Sequence, residues 1–66
     1  MELIYNNKKL EIVFSGNIKN LLKEQGIDDT KVAIQLNNKI ISRNKWEEYT
    51  VNAEDKVTII EIIAGG

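Results

Sequence analysis

Asn17-Ile18-Lys19-Asn20-Leu21-Leu22-Lys23-Glu24-Gln25-Gly26-Ile27 is the stretch on which the fold turns. Ile18, Leu21 and Leu22 stand at i, i+3 and i+4, so an α-helix gathers them on one apolar stripe. Asn17, with Ser15 as second choice, supplies an N-cap, a side-chain oxygen that accepts an N–H left unpaired in the first turn. Gly26 supplies the other end, because the residue just past a helix often takes left-handed angles that glycine adopts most easily. A helix is predicted over about residues 18–25, with Ile27 packed behind its end.

On either side the hydrophobic period is two rather than 3.6. Met1 to Tyr5 reads as a strand with Leu3 and Tyr5 on one face and Glu2 and Ile4 on the other. Asn6-Asn7-Lys8-Lys9 is a polar turn of hairpin length, and Leu10 to Phe14 resumes the alternation with Leu10, Ile12 and Phe14 on one face. Beyond the helix, Asp28-Asp29-Thr30-Lys31 is a polar connection. Val32, Ile34 and Leu36 then alternate with Ala33 and Gln35 in a third strand. Asn37-Asn38 is a turn, and Ile40-Ile41 a short fourth strand. Arg43 to Tyr49 holds a helical turn carrying Trp46, and Asn52-Ala53-Glu54-Asp55 turns the chain into a last strand, Lys56 to Ile63.

In that strand Val57 and Ile59 are expected to face the helix, with Thr58, Ile60 and Ile62 facing away. Glu61 falls where the core-facing phase would continue, so that phase should end near Ile59. One helix laid by its apolar stripe on a small mixed sheet is a two-layer α+β arrangement. The order ββαββ is that of the β-grasp, the ubiquitin-like architecture.

Composition narrows the function. Sixty-six residues fit a single domain over 1–66, and a domain this small buries only about 60% of its unfolded surface. The chain has no Cys and no His, which removes thiol chemistry, the commonest metal ligand and the side chain best suited to proton transfer near neutral pH. This argues against catalysis, and no bound cofactor or metal is expected. A net charge of −1 gives no field to draw in nucleic acid or anionic lipid. The apolar runs fall far short of the ~20 residues that cross a bilayer. The first residues lack a secretory pattern, so a cytoplasmic location is expected.

The feature that carries chemistry is Ile62-Ile63-Ala64-Gly65-Gly66, expected to form a flexible tail. A terminal Gly-Gly should arise by chance roughly once in 200 chains. Glycine has no Cβ, so two of them let backbone press through a narrow channel to the α-phosphate of ATP. The five residues reach about 16 Å when extended. The Gly66 carboxylate would become an acyl adenylate, and a sulfur nucleophile would displace AMP to leave a thiocarboxylate. Gly65, Ala64, Ile62 and Ile60 would be the binding residues, since two isoleucines on an uncovered sheet face invite a partner.

Asn37, Ile40-Ile41, Arg43 and Trp46, followed by Asp55, the apolar run Val57 to Ile63 and Ala64-Gly65-Gly66, resemble the ThiS family of sulfur carriers in thiamin (thiazole) biosynthesis. The resemblance spans nearly the whole chain and is most specific in its C-terminal half. It implies three partners: a ThiF-type adenylating enzyme that uses ATP on Gly66, a cysteine desulfurase relay that supplies sulfur, and a ThiG-type thiazole synthase that receives it. The free carrier is expected to be monomeric. Ser42 replaces a Pro common in the family, and Ala53-Glu54-Asp55 replaces a common Asp-Gly-Asp, which leaves that turn's geometry open. For Arg43 and Trp46 the favoured reading is structural, the Trp covering one end of the core and the Arg pairing locally. Other readings of the same tail are a MoaD-type carrier for molybdopterin, a ubiquitin-like protein modifier or a plain β-grasp interaction module.

Overall fold

The computed structural model describes residues 1–62. Strands β1 (Glu2–Tyr5) and β2 (Lys8–Glu11) form a hairpin, and β3 (Gly16–Asn17) leads into helix α1 (Ile18–Glu24). A 3-10 turn at Asp29–Lys31 precedes β4 (Val32–Leu36) and β5 (Lys39–Ile41). A second 3-10 turn at Arg43–Lys45, then β6 (Thr50–Val51) and β7 (Lys56–Glu61), complete the described elements. The main sheet runs β2-β1-β7-β4-β5, with β1 and β7 parallel and the other pairs antiparallel. This is the mixed-sheet α+β β-grasp arrangement expected from the element order, and the last strand lies at its centre.

The caps operate as the residue types dictate. The Asn17 carboxamide oxygen accepts the Asn20 N–H at 2.8 Å. At the other end the Gly26 N–H reaches Lys23 O and the Ile27 N–H reaches Leu22 O, the paired bonds of a Schellman motif. Gly26 sits at φ +69°, and Ile27 folds back half-buried against the core. Ile18, Leu21 and Leu22 are wholly buried against Leu3, Ile34 and Val57 in the same core. Among the described residues no helix is long and apolar enough to cross a membrane.

The first hairpin differs from its expected form. Only Asn6 and Asn7 form the turn, both at positive φ (53° and 62°), which is the two-residue geometry that suits strand twist. Lys8 and Lys9 therefore belong to β2. That strand ends at Glu11, although one further bond joins the Ile12 N–H to Met1 O. Leu10 is 43% exposed, while Phe14 is buried from a non-strand segment, so Leu10, Ile12 and Phe14 do not form one buried strand face. A helix of seven residues is about 10 Å long, and a five-stranded sheet is about 19 Å wide. The edge strand β2 lies beyond its cover.

The second two-residue turn, Asn37-Asn38, also has both residues at positive φ. The turn at residues 52–55 closes with the Asp55 N–H on Asn52 O at 3.0 Å, and Glu54 is not among the positive-φ residues, so no glycine is required there. The pairing of β3 with β6, Gly16 with Val51 and Asn17 with Thr50, has no counterpart in the sequence reading.

Candidate functional site

β7 places the site. Flanked by β1 and β4, it is held on both edges by backbone hydrogen bonds. Its alternation is as expected: Val57 and Ile59 are buried under α1, while Ile60 is 40% and Ile62 57% exposed, and Glu61 is exposed where the core-facing phase stops. Ala33 lies opposite Ile60 in the β4 register, and Ile4 and Gln35 flank Thr58. A shallow depression lined by Ile4, Thr58, Ile60 and Glu61 marks this outer face, and exposed Ile40 opposite Gln35 extends it across β5. Ile4, Ala33 and Ile40 went unnamed as site residues in the sequence reading. Their signal was their phase, opposite to Leu3, Ile34 and Ile41.

The last described contact of the chain is made by Ile62. Its N–H donates to Lys31 O at 2.8 Å, one step beyond the Val32–Glu61 pair that ends the β4–β7 register. The carbonyl it meets belongs to the 3-10 turn at Asp29–Lys31. Asp28 caps that turn, accepting from the Thr30 N–H at 3.0 Å and the Thr30 hydroxyl at 2.6 Å. Those two bonds hold the Asp28 carboxyl below its usual pKa. Ala64, Gly65 and Gly66, assigned to the site from the sequence, lie outside the described residues, as does Ile63.

Trp46 is buried, with its indole N–H on Ile41 O at 3.0 Å, and closes one end of the core. The Arg43 guanidinium lies 5.4 Å from the centre of the indole, donates to Asp29 O and stands 3.9 Å from the Asp29 carboxylate. Both residues thus have the structural surroundings favoured for them. Among the described residues no polar or charged side chain is buried, and no cluster of Cys, His, Asp or Glu is placed to hold a metal. What the described residues present is an exposed apolar face on the outer side of the central strand.

A five-stranded mixed sheet under one short helix, with its last strand at the centre, defines a ubiquitin-like β-grasp protein. The ThiS family profile matches residues 3–66, and the chain belongs to that family. It is 23% identical over 66 residues to the sulfur carrier protein ThiS of Escherichia coli, with both chains covered in full. It is 33% identical over 66 residues to a thiazole synthase of Paramagnetospirillum magneticum, spanning all of this chain but 20% of that protein. The crystal structure of the thiamine biosynthesis protein ThiS from Geobacter metallireducens superposes with a TM-score of 0.76 at 26% identity, covering both chains completely.

Proposed function

We propose that this chain is a sulfur carrier of thiazole formation in thiamin biosynthesis, acting as a co-substrate and not as an enzyme. The observation that carries the reading is the placement of β7. The central, doubly paired strand is the last described element before Gly65-Gly66 in the sequence, with Ile60 and Ile62 exposed on it and just beyond it. Full-length similarity to the E. coli sulfur carrier supports the same role.

A ThiF-type adenylating enzyme joins the Gly66 carboxylate to AMP from ATP, releasing pyrophosphate. The persulfide of a cysteine desulfurase relay attacks the acyl carbon through its outer sulfur and expels AMP, and a thiol reductant then cleaves the resulting acyl disulfide to leave a thiocarboxylate. A thiazole synthase of the ThiG kind then takes the sulfur. One-fifth of the P. magneticum synthase matches this entire chain, so a carrier-like segment occurs within a synthase, which favours that acceptor over molybdopterin. The outer face around Ile60 docks the adenylating enzyme, and the two glycines admit the tail to its ATP site.

The test is ATP–pyrophosphate exchange with a ThiF-type enzyme. Deleting Gly66, or appending one residue after it, should abolish exchange while leaving the thermal melt unchanged. Normal exchange by either blocked chain would sink the reading.

A further inference from the structure

The Arg43–Trp46 pair is the sequence motif that the carrier reading leaves without a task. Trp46 accounts for itself by burial and its bond to Ile41 O. Arg43 does not, since more than half of its side chain is exposed and an exposed ion pair contributes little to folding. Its position is more informative than its energy. From the second 3-10 turn it crosses to the first, lying over the buried indole at one side and bonding Asp29 at the other. The last residue of that first turn, Lys31, takes the Ile62 N–H.

We propose that Arg43 is a positioning residue for the reaction at Gly66, fixing the point where the tail leaves the sheet by tying the Asp29–Lys31 turn to the Trp46 platform. This rests on the carrier reading above. Asp28 shapes the turn from within, through Thr30, and buried Val32 carries its last residue into β4. Arg43 adds a side-chain tie at the other end of the turn, to Asp29. Four residues follow Ile62 and span at most about 13 Å, so uncertainty in where Ile62 sits passes to the carboxylate. A misplacement of about 1 Å at a reacting group can cost on the order of a hundredfold in rate. Loosening the exit should act after docking, because Ile60 at the centre of the docking face stays paired with Ala33 inside the ladder when Ile62 beyond it is freed. The expected signature is a lower kcat at nearly constant KM.

The experiment compares wild type, Arg43→Ala and Arg43→Lys by amide hydrogen exchange and by steady-state ATP–pyrophosphate exchange with a ThiF-type enzyme. Arg43→Ala should speed exchange at the Ile62 amide relative to Ile59, with the melt almost unmoved. It should lower kcat roughly tenfold with KM within about twofold. Arg43→Lys, which keeps a cationic donor, should restore most of the rate. An unchanged Ile62 amide, or an unchanged kcat in Arg43→Ala beside an active wild type, overturns the positioning role alone. A fall in melting temperature with kcat intact assigns Arg43 to stability and overturns it too. A wild-type chain that supports no exchange fails the carrier reading itself, and this role with it.

Discussion

Asn37 holds the start of β7 through three groups at once. Its backbone N–H donates to Lys56 O at 2.8 Å, its carboxamide oxygen accepts the Lys56 N–H at 2.9 Å, and its carboxamide nitrogen donates to Asp55 Oδ1 at 2.9 Å. Asp55 Oδ2 accepts the Asn52 N–H at 2.8 Å. The bonds from Asn37 and then from Asn52 favour the carboxylate, so the Asp55 pKa lies below its ordinary 3.8. A depressed folded pKa contributes stability that is present above the unfolded value and is lost as pH falls through the folded value. Melting temperature should therefore drop as pH is lowered below about 3.8, and Asp55→Asn should flatten that part of the profile. Equal slopes in parent and variant, followed by circular dichroism, would remove Asp55 from the acid response.

Two further substitutions belong to this scale. Ile60→Glu should weaken binding to the adenylating enzyme at least tenfold, or about 1.4 kcal/mol, while hardly moving the melt. Isothermal titration beside a thermal scan checks both halves. Unchanged affinity would take the outer face out of the docking site. Gly65→Val should leave the melt alone and slow adenylation markedly, because a β-branched side chain stiffens the backbone and widens it where the channel is narrow. Unimpaired adenylation would show that Gly65 is not needed for access.

Among the elements, α1 was the most legible, because its signals are local. The i, i+3, i+4 stripe, the Asn17 cap and Gly26 all lie within eleven residues, and each does what its chemistry suggests. Leu21 is wholly buried, so Leu21→Ala should cost about 2–5 kcal/mol in urea titration. Against a total that can be as low as ~5 kcal/mol, much of the variant would be unfolded. A parent-like midpoint would contradict the helix register. The faces of β7 were legible too, since Val57 and Ile59 bracket polar Thr58 and Glu61 bars the core-facing phase from continuing. The first hairpin was less so. Its polar residues 6–9 suggest a turn, but which two bend depends on both asparagines taking positive φ, which Asn tolerates and Lys resists. The exposure of Leu10 depends on the helix being too short to cover β2, a fact about two elements together.

At the scale of the whole molecule, what escaped the sequence was non-local. Residues 16–17 pair with 50–51, and Lys31 O accepts from Ile62, contacts that leave no periodic mark in either partner. The candidate site divides along the same line. Ile60 and Ile62 could be named from their phase in one strand, whereas Ile4, Ala33 and Ile40 join their face only once the strand order is known. Gly65 and Gly66 were named for a chemical reason, the close approach that backbone without a Cβ allows, and they lie outside the described residues. On the reading proposed above, the central strand would present Gly66 to another enzyme for activation. The central claim is that Gly66 bears the sulfur, and intact-protein mass spectrometry with peptide mapping tests it most directly. The chain is incubated with a ThiF-type enzyme, ATP and sulfide, beside the E. coli carrier as a positive control. The C-terminal peptide should gain the mass of one oxygen replaced by sulfur and lose that gain on passage to a thiazole synthase. An unmodified C-terminal peptide in a reaction that converts the control, or a lysine conjugate in its place, would contradict it.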